Sequence, residues 1–472
     1  MIMNKEIIIQ EDVTQNVPLQ GDLGGNTPIK NITYDALVIG AGIAGGEAAL
    51  NLANTGYKVL LVDKELSVGG KMIMLSKVFP TLDCAACITT PKVSEISRHP
   101  NITIFTGSEV SHIKKISDNE FIAKVTKHPR YVHVEDCTAC QLCEKACPVN
   151  VRDQYQFGLI GRKAAFIPFS ICSPKAAAID IDNCTLCGAC EKACPTNCID
   201  FTMETEEMHL HVKTVVIATG FKLFDPENMP RYGYGKFQNI LTAQQMEREL
   251  APTRPYNTIL RPGDGKVPDK IAYVLCVGSR DASVGNPICS QICCMYSIKQ
   301  AQLLMGALPM ADVTIYYINI RSFGKGFEEF YQQAKGMGVN FVKGKIGKIS
   351  EKENGNLLLR YEDINEGKLQ EAEHDMVILS TGVLPNTGIE KFFENQTLSL
   401  DPFKFVAQSD VLASPAKTSI DGVFVAGTAI GPMDIPDTIL SAGAASSEAI
   451  SYLMAPPNLP QREAYEKIEL EK

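Results

Sequence analysis

One cysteine pattern, written twice, constrains this chain more than anything else in it. Cys137-x2-Cys140-x2-Cys143-x3-Cys147-Pro148 recurs as Cys184-x2-Cys187-x2-Cys190-x3-Cys194-Pro195. Three thiolates at this spacing wrap one face of a cubane cluster, and the fourth, before proline, reaches across to a neighbouring cluster. By that rule Cys137, Cys140, Cys143 and Cys194 hold one [4Fe–4S] cluster, and Cys184, Cys187, Cys190 and Cys147 hold a second. Tetrahedral zinc also accepts C-x2-C pairs, but two full copies, each closed by Cys-Pro, favour clusters. Between about Tyr131 and Phe201 cysteines are dense, helical periodicity is lost and turn residues are frequent. The pattern therefore marks a small domain inserted into a larger one. Cys172 and Cys198 lie near the two runs without fitting a ligand position and read as small buried thiols.

The surrounding chain has globular composition. At 472 residues it exceeds one compact core, so two or three domains are expected. Hydrophobic residues at 45% and charged residues at 21% exclude disordered, collagen-like and membrane classes. A formal net charge of -9 leaves no basic footprint for nucleic acid. The polar start, with Glu11, Asp12 and Gly21, lacks the basic-then-apolar order of a signal peptide. No apolar run of about 18 residues is present to span a membrane. Sixteen cysteines without an export signal point to a reducing compartment, expected to be the cytoplasm, where spaced cysteines bind metal or do redox chemistry.

The first strand pattern, Tyr34 to Ile39, runs into Gly40-Ala41-Gly42-Ile43-Ala44-Gly45, an Ala-rich helix and a second strand ending at Asp63. Strand, G-x-G-x-x-G turn, helix, strand and acid form one βαβ unit for a dinucleotide. Gly40 permits the turn, Gly42 lets backbone approach pyrophosphate, Gly45 lets helix and strand pack, and Asp63 would accept from a ribose hydroxyl. Ala44 at the helix start and Lys64 beside the acid belong to the same expected site. FAD is favoured over NAD because Gly69-Gly70-Lys71 follows, and Thr219-Gly220 and Gly427-Thr428 close the site later. Thr428 stands where such flavoproteins often carry Asp, a change expected to weaken one ribityl or pyrophosphate contact.

Val215 to Gly220 is echoed by Val377 to Gly382, each an apolar strand ending in Thr-Gly, so two tandem dinucleotide folds are expected. The second lacks its glycine triplet. Its strand Ile271 to Leu275 runs into Cys276-Val277-Gly278-Ser279-Arg280-Asp281, which makes ordinary NAD(P)H binding doubtful. Cys276, Cys289, Cys293 and Cys294 fall within 19 residues, and their spacing leaves a third cluster and buried structural thiols about equally open. Lys299, further along the same helix pattern, reads from its residues as a solvated lysine. The expected division is 1–33 N-terminal extension, 34–130, 204–265 and 385–456 FAD-binding domain, 131–203 inserted domain, 266–384 second unit and 457–472 tail.

The chain resembles heterodisulfide reductase in its FAD-bearing, electron-transferring subunit. Phe79-Pro80-Thr81-Leu82-Asp83-Cys84, Thr90-Pro91-Lys92, Arg98 to Ile102, Cys276 to Asp281, Cys289 to Ala301 and Gly431 to Asp437 carry the resemblance, which spans roughly Tyr34 to Ala455. It implies an α/β fold, thioredoxin-reductase-like and two-domain, with an inserted two-cluster bacterial-type ferredoxin. It also implies that Cys276, Cys289, Cys293 and Cys294 ligate a third [4Fe–4S] cluster, that Lys299 lies near the isoalloxazine, and that the FAD bifurcates electrons. Longer members carry a folded N-terminal domain and a second C-terminal ferredoxin. Here about 33 residues precede the first strand and the chain ends soon after the last FAD helix, so the low-potential exit ferredoxin is expected to be absent or supplied by a partner. The implied partners are the other subunits of a heterodisulfide reductase-like or benzoyl-CoA reductase-like complex, iron–sulfur and hydrogenase- or dehydrogenase-linked, with ferredoxin among them. A homodimer within the larger assembly is implied too.

Two rivals stand beside the electron-transfer reading. A free-standing NAD(P)H-dependent disulfide reductase would use Cys84-x2-Cys87, a spacing suited to thiol exchange, but no His-Glu partner follows near the C-terminus. A scaffold that kept its cofactors for stability is the other, and eight intact ferredoxin ligands argue against it.

Overall fold

A computed structural model describes residues 33–454 of the chain. The expected tail, and the N-terminal extension apart from Thr33, lie outside the described residues. The chain begins with β1 (Thr33–Ile39), α1 (Ile43–Asn54), β2 (Val59–Val62), α2 (Ala85–Arg98), β3 (Ile102–Phe105), β4 (Ser108–Ser117) and β5 (Glu120–Lys127). The insertion follows, with α3 (Leu142–Ala146), β6 (Asn150–Arg152), β7 (Gly161–Lys163), β8 (Ala165–Phe166), β9 (Ala178–Ile179) and α4 (Ala189–Ala193). The chain returns through β10 (Glu206–Ile217) and leaves by β11 (Phe221–Leu223). The second unit holds β12 (Ile240–Thr242), α5 (Ala243–Leu250), β13 (Lys270–Val277), α6 (Cys293–Ala307), β14 (Asp312–Tyr317), α7 (Phe327–Gly336), β15 (Asn340–Glu351), β16 (Leu357–Asp363), β17 (Lys368–His374) and β18 (Met376–Thr381). β19 (Val383–Pro385) leads back to β20 (Val423–Val425) and α8 (Ile435–Met454).

The two sheets repeat one plan. The first runs β3-β2-β1-β10 in parallel, with β20 pairing the far side of β10; the second runs β15-β14-β13-β18-β12, also parallel. Strands such as Leu37-Val38-Ile39 and Val377-Ile378-Leu379 are apolar on both faces because helices or loops cover both. In the first unit α1 and α8 pack on one face of the sheet, while the β4–β5 hairpin and the 389–406 segment close the other. The Thr-Gly echo marks the two places where the chain crosses between units, and β11 and β19 pair antiparallel there.

One boundary differs from expectation. β12 hydrogen-bonds to β18 in the second sheet, and Ala243 and Met246 of α5 belong to that sheet's core. The chain has therefore entered the second unit by Ile240, upstream of the boundary at 266. Among the described residues no helix is long and apolar enough to cross a membrane.

Candidate functional site

All five parallel strands of the first unit (β3, β2, β1, β10 and β20) end on one side, where turns meet at van der Waals limits. A Cβ on Gly40 (φ +102°) would lie 2.3 Å from the Ala218 carbonyl oxygen, and one on Gly45 would lie 1.7 Å from that of Gly40. A Cβ on Gly70 would lie 2.7 Å from the Gly42 Cα, and one on Gly427 2.6 Å from the Ala44 Cβ. Thr428 reaches within 3.9 Å of where a Gly220 side chain would begin. Gly40, Gly42, Ala44, Gly45, Gly70, Thr219, Gly220, Gly427 and Thr428 are thus gathered at one crevice, the place where open α/β sheets bind ligands. Gly42 precedes α1 and supplies no side-chain cap, so the first amides of a 12-residue helix face this crevice without an intrahelical acceptor.

Asp63 sits at the end of β2, buried, accepting from the Ala41 amide at 2.6 Å and the Glu65 amide at 2.8 Å. Burial pushes its carboxyl above the usual range, against those two bonds. Its first task is therefore to pin the glycine turn, and any ribose hydroxyl would share its remaining lone pairs. Lys71 lies over the Phe221 ring, 5.0 Å from its centroid, while Lys64 is exposed. The uncapped helix end and close-approach glycines fit a flavin dinucleotide.

In the insertion, one pocket is lined by Cys137, Cys140, Cys143 and Cys194, the grouping expected from the spacing, and by Cys198. Of the second expected grouping, Cys190 has Cys184 and Cys147 as neighbours, while Cys187 is exposed. The backbone reason is repeated too. Ala139 and Gln141 in one run, and Leu186 and Gly188 in the other, take left-handed φ between 52° and 70°. Each run thereby coils around its own centre and turns amides inward, as Leu186 N–H does to the Cys184 Sγ at 3.4 Å. Left-handed residues other than glycine are strained, and three of these four are not glycine. Burial pushes the Cys143 thiol up to about 11 and raises Cys190. Such thiols become ligands only when a metal takes the place of the proton, and the donor set fits two clusters. Cys172 is buried outside both groups.

The second unit departs from the first at the turn where a nicotinamide nucleotide would lie. Phe224, just beyond β11, is buried, and its ring atoms come within 2.0 Å of where a Cβ of Gly278 would be. α6 begins only at Cys293, after a long connection, instead of directly after a glycine turn. These residues do not fit a nicotinamide dinucleotide.

Cysteines occupy the connection. A register shift in β13 and a left-handed Cys276 (φ 61°) swing that side chain off the sheet. Cys293 and Cys294 open α6, with Cys293 flanked by both Cys276 and Cys294. Cys289 repeats the geometry of the insertion's ligands: Gln291, two residues on, is left-handed (φ 57°) and its amide donates to the Cys289 Sγ at 3.4 Å. Arg280 adds a cation at Cys276 and is anchored on the Asn319 side chain, while the Asn319 carbonyl lies 3.9 Å from the Cys294 Sγ. Cys276, Cys293 and Cys294 thus lie together, and Cys289 shares the local turn of the insertion's cysteines.

Lys299 lies one and a half turns beyond these cysteines on α6, and it is not solvated: it is 1% exposed. Its ammonium pairs with Glu247 of α5 and donates to the Lys77 carbonyl at 2.9 Å. Glu247 also accepts from the Ser76 amide at 2.9 Å, the Ser76 hydroxyl at 2.6 Å and the Gln300 amide. Burial alone would raise the Glu247 carboxyl, but the Lys299 charge and these donors hold it below the usual range, while burial pulls Lys299 down. Glu247, Ser76, Gln300 and Phe224 escaped the sequence reading. Glu247 sits in the hydrophilic string AQQMEREL, which reads as a surface helix.

Cys84 caps α2 and is joined to Cys87 by a disulfide. The pair connects to Lys77 through an isolated bridge between Lys77 and Cys84.

Comparison with known proteins follows the same division. The family model described as pyridine nucleotide-disulphide oxidoreductase matches residues 34–139 and 169–449, and that described as 4Fe-4S dicluster domain matches residues 136–199. The chain is 42% identical over 428 residues to a CoB–CoM heterodisulfide reductase iron–sulfur subunit of Methanopyrus kandleri, covering 90% of this chain and 65% of that one. It is 40% identical over 416 residues to a subunit of the H(2):CoB-CoM heterodisulfide,ferredoxin reductase of Methanothermobacter marburgensis, covering 88% and 63%. It thus spans a little under two-thirds of the length of these relatives. Among solved structures, thioredoxin reductase of T. acidophilum matches 90% of this chain and 99% of its own at a TM-score of 0.51 with 15% identity, which shows a shared fold.

Proposed function

Because the chain belongs to the pyridine nucleotide-disulphide oxidoreductase family and is a relative of heterodisulfide reductase iron–sulfur subunits, we propose that it is an electron-transfer subunit of a larger redox complex. Its cofactors are FAD and [4Fe–4S] clusters, three of the latter in this reading, with Cys276, Cys289, Cys293 and Cys294 holding the third. The flavin, when bound, exchanges electron pairs with two-electron donors and single electrons with clusters. The amides at the start of α1 hold its diphosphate, and Asp63 fixes the turn that presents them. Lys299 supplies a buried positive charge whose position Glu247 and the Lys77 carbonyl determine. In this reading it stands beside the isoalloxazine and stabilises added negative charge there. The partners are the remaining subunits of a heterodisulfide reductase-like assembly.

The observation that carries the reading is the Phe224 ring packed on the Gly278 turn. A nicotinamide-driven reductase needs that turn open, whereas a subunit fed and drained by neighbouring proteins does not. The Cys84–Cys87 disulfide is the one feature that favours the rival. A steady-state assay of the FAD- and cluster-loaded chain separates them. Reduction of artificial dyes by a low-potential donor, without oxidation of NADH or NADPH, is the expected result. Sustained NADH turnover onto a disulfide would overturn the proposal, and loss of that turnover in Cys84→Ser would assign it to the rival.

A further inference from the structure

We propose that Cys198 is a reserve ligand of the cluster site built by Cys137, Cys140, Cys143 and Cys194, placed to replace Cys194. The site gathers five thiols where a cubane takes four. Cys198 lines the same pocket as the other four, and its Sγ lies 3.4 Å from the Cys194 Sγ. It is held there by backbone. Asn197 turns left-handed (φ 51°), the His133 amide donates to the Cys198 carbonyl at 2.8 Å, and Val132 bridges to Ile199. Cys198 is 3% exposed, whereas Cys194 is only partly buried. The thiol closer to solvent is thus backed by one that solvent does not reach.

The internal repeat supplies the contrast. Cys194-Pro195-Thr196-Asn197-Cys198 corresponds to Cys147-Pro148-Val149-Asn150-Val151, so the second site has valine at this position. There the Cys147 Sγ points to the Val149 carbonyl at 3.8 Å and has no spare thiol in its turn. A fifth thiol is therefore a property of one site and not of the fold.

The exchange balances without an oxidant or reductant. The iron bond to the Cys194 sulfur breaks, an iron bond to the Cys198 sulfur forms, and the proton of the Cys198 thiol passes to Cys194. No electron is gained or lost. Because hydrogen bonding and exposure of the ligating sulfur set cluster potential, the two ligation states differ in potential. Loss of the exposed ligand to oxidation does not by itself release the cluster.

The proposal rests on reading this pocket as a cluster site, and the repeat separates the two questions. In the full chain purified without oxygen, Cys147→Ala should lose about four iron atoms, one [4Fe–4S] complement. Cys194→Ala should keep its iron and show altered electron paramagnetic resonance of one cluster, and Cys194→Ala with Cys198→Ala should lose about four iron. Iron loss in Cys194→Ala equal to that in Cys147→Ala would overturn the reserve role while leaving the cluster assignment intact. Wild-type protein without iron would overturn the assignment itself. Should Cys194→Ala fail to fold, Cys198→Ala alone decides. It is expected to hold full iron without oxygen but to lose one cluster several-fold faster than wild type on exposure to air, and an unchanged rate would contradict the proposal.

Discussion

The buried pair of Lys299 and Glu247 shows how much depends on single side chains. Neither charge is affordable alone in the interior, and the pair persists because Ser76, Gln300 and the Lys77 carbonyl complete its hydrogen bonds. Glu247→Ala leaves an ammonium buried without a partner and should cost about 3–5 kcal/mol in denaturant unfolding. Removing both charges, with Glu247→Leu and Lys299→Met, should recover only part of that loss, because Ser76 and the Lys77 carbonyl are then left buried without partners. Two residues on, Glu249 is fully buried with one carboxylate oxygen unpartnered, and burial pushes it up to about 7 from an ordinary 4.5, against the Leu260 amide and Arg254. The unfolded chain then releases this proton at lower pH than the folded one. Stability falls as pH rises from 4.5 to 7, and the deficit stays constant above. Glu249→Gln should therefore be more stable than wild type at pH 8, by up to about 3 kcal/mol, with the difference vanishing at pH 4.5 and below. Unfolding midpoints of both proteins at the two pH values check this. None of this is legible in the sequence, because burial of α5 depends on segments far away in the chain. Arg248, between the two acids, ties α5 to the Met74 carbonyl and to Gln156 of the insertion.

Among the elements, α1 and the strand before it are the most readable, since the turn's demands are local. Gly45→Ala would drive a Cβ to 1.7 Å from the Gly40 carbonyl, a rigid backbone atom, so FAD retention and several kcal/mol of stability should be lost. Gly46→Ala, one residue on, meets only the end of the Ile96 side chain at 2.8 Å, which can move aside. It should keep bound FAD and change stability by about 1 kcal/mol or less, because alanine's helix propensity offsets the shift. Flavin content after desalting, with thermal melts of both variants, tests the pair. The dicluster domain is equally legible, since the doubled cysteine spacing alone marks it. The third thiol set was only half legible: Cys289 shares the left-handed turn of the other ligands, but Gln291 gives no outward sign of it. The start of the second unit was misplaced because β12 is three residues long and pairs with a strand more than a hundred residues later.

At the scale of the molecule, a duplicated sheet plan has been put to two uses. The first copy keeps its glycine turn, and the second has its turn occupied by Phe224 and its strand-to-helix connection given to cysteines. α6 carries Cys293 and Cys294 at its start and Lys299 within it, so in the proposed reading it joins the third cluster to the flavin. In the proposed reading one chain holds a flavin and three clusters. Iron, sulfide and flavin analysis of the chain purified without oxygen tests it most directly. About twelve iron and twelve sulfide per FAD is the expected result, from three [4Fe–4S] clusters. About eight iron per FAD would contradict it, leaving the insertion's two clusters and returning Cys276, Cys289, Cys293 and Cys294 to buried structural thiols.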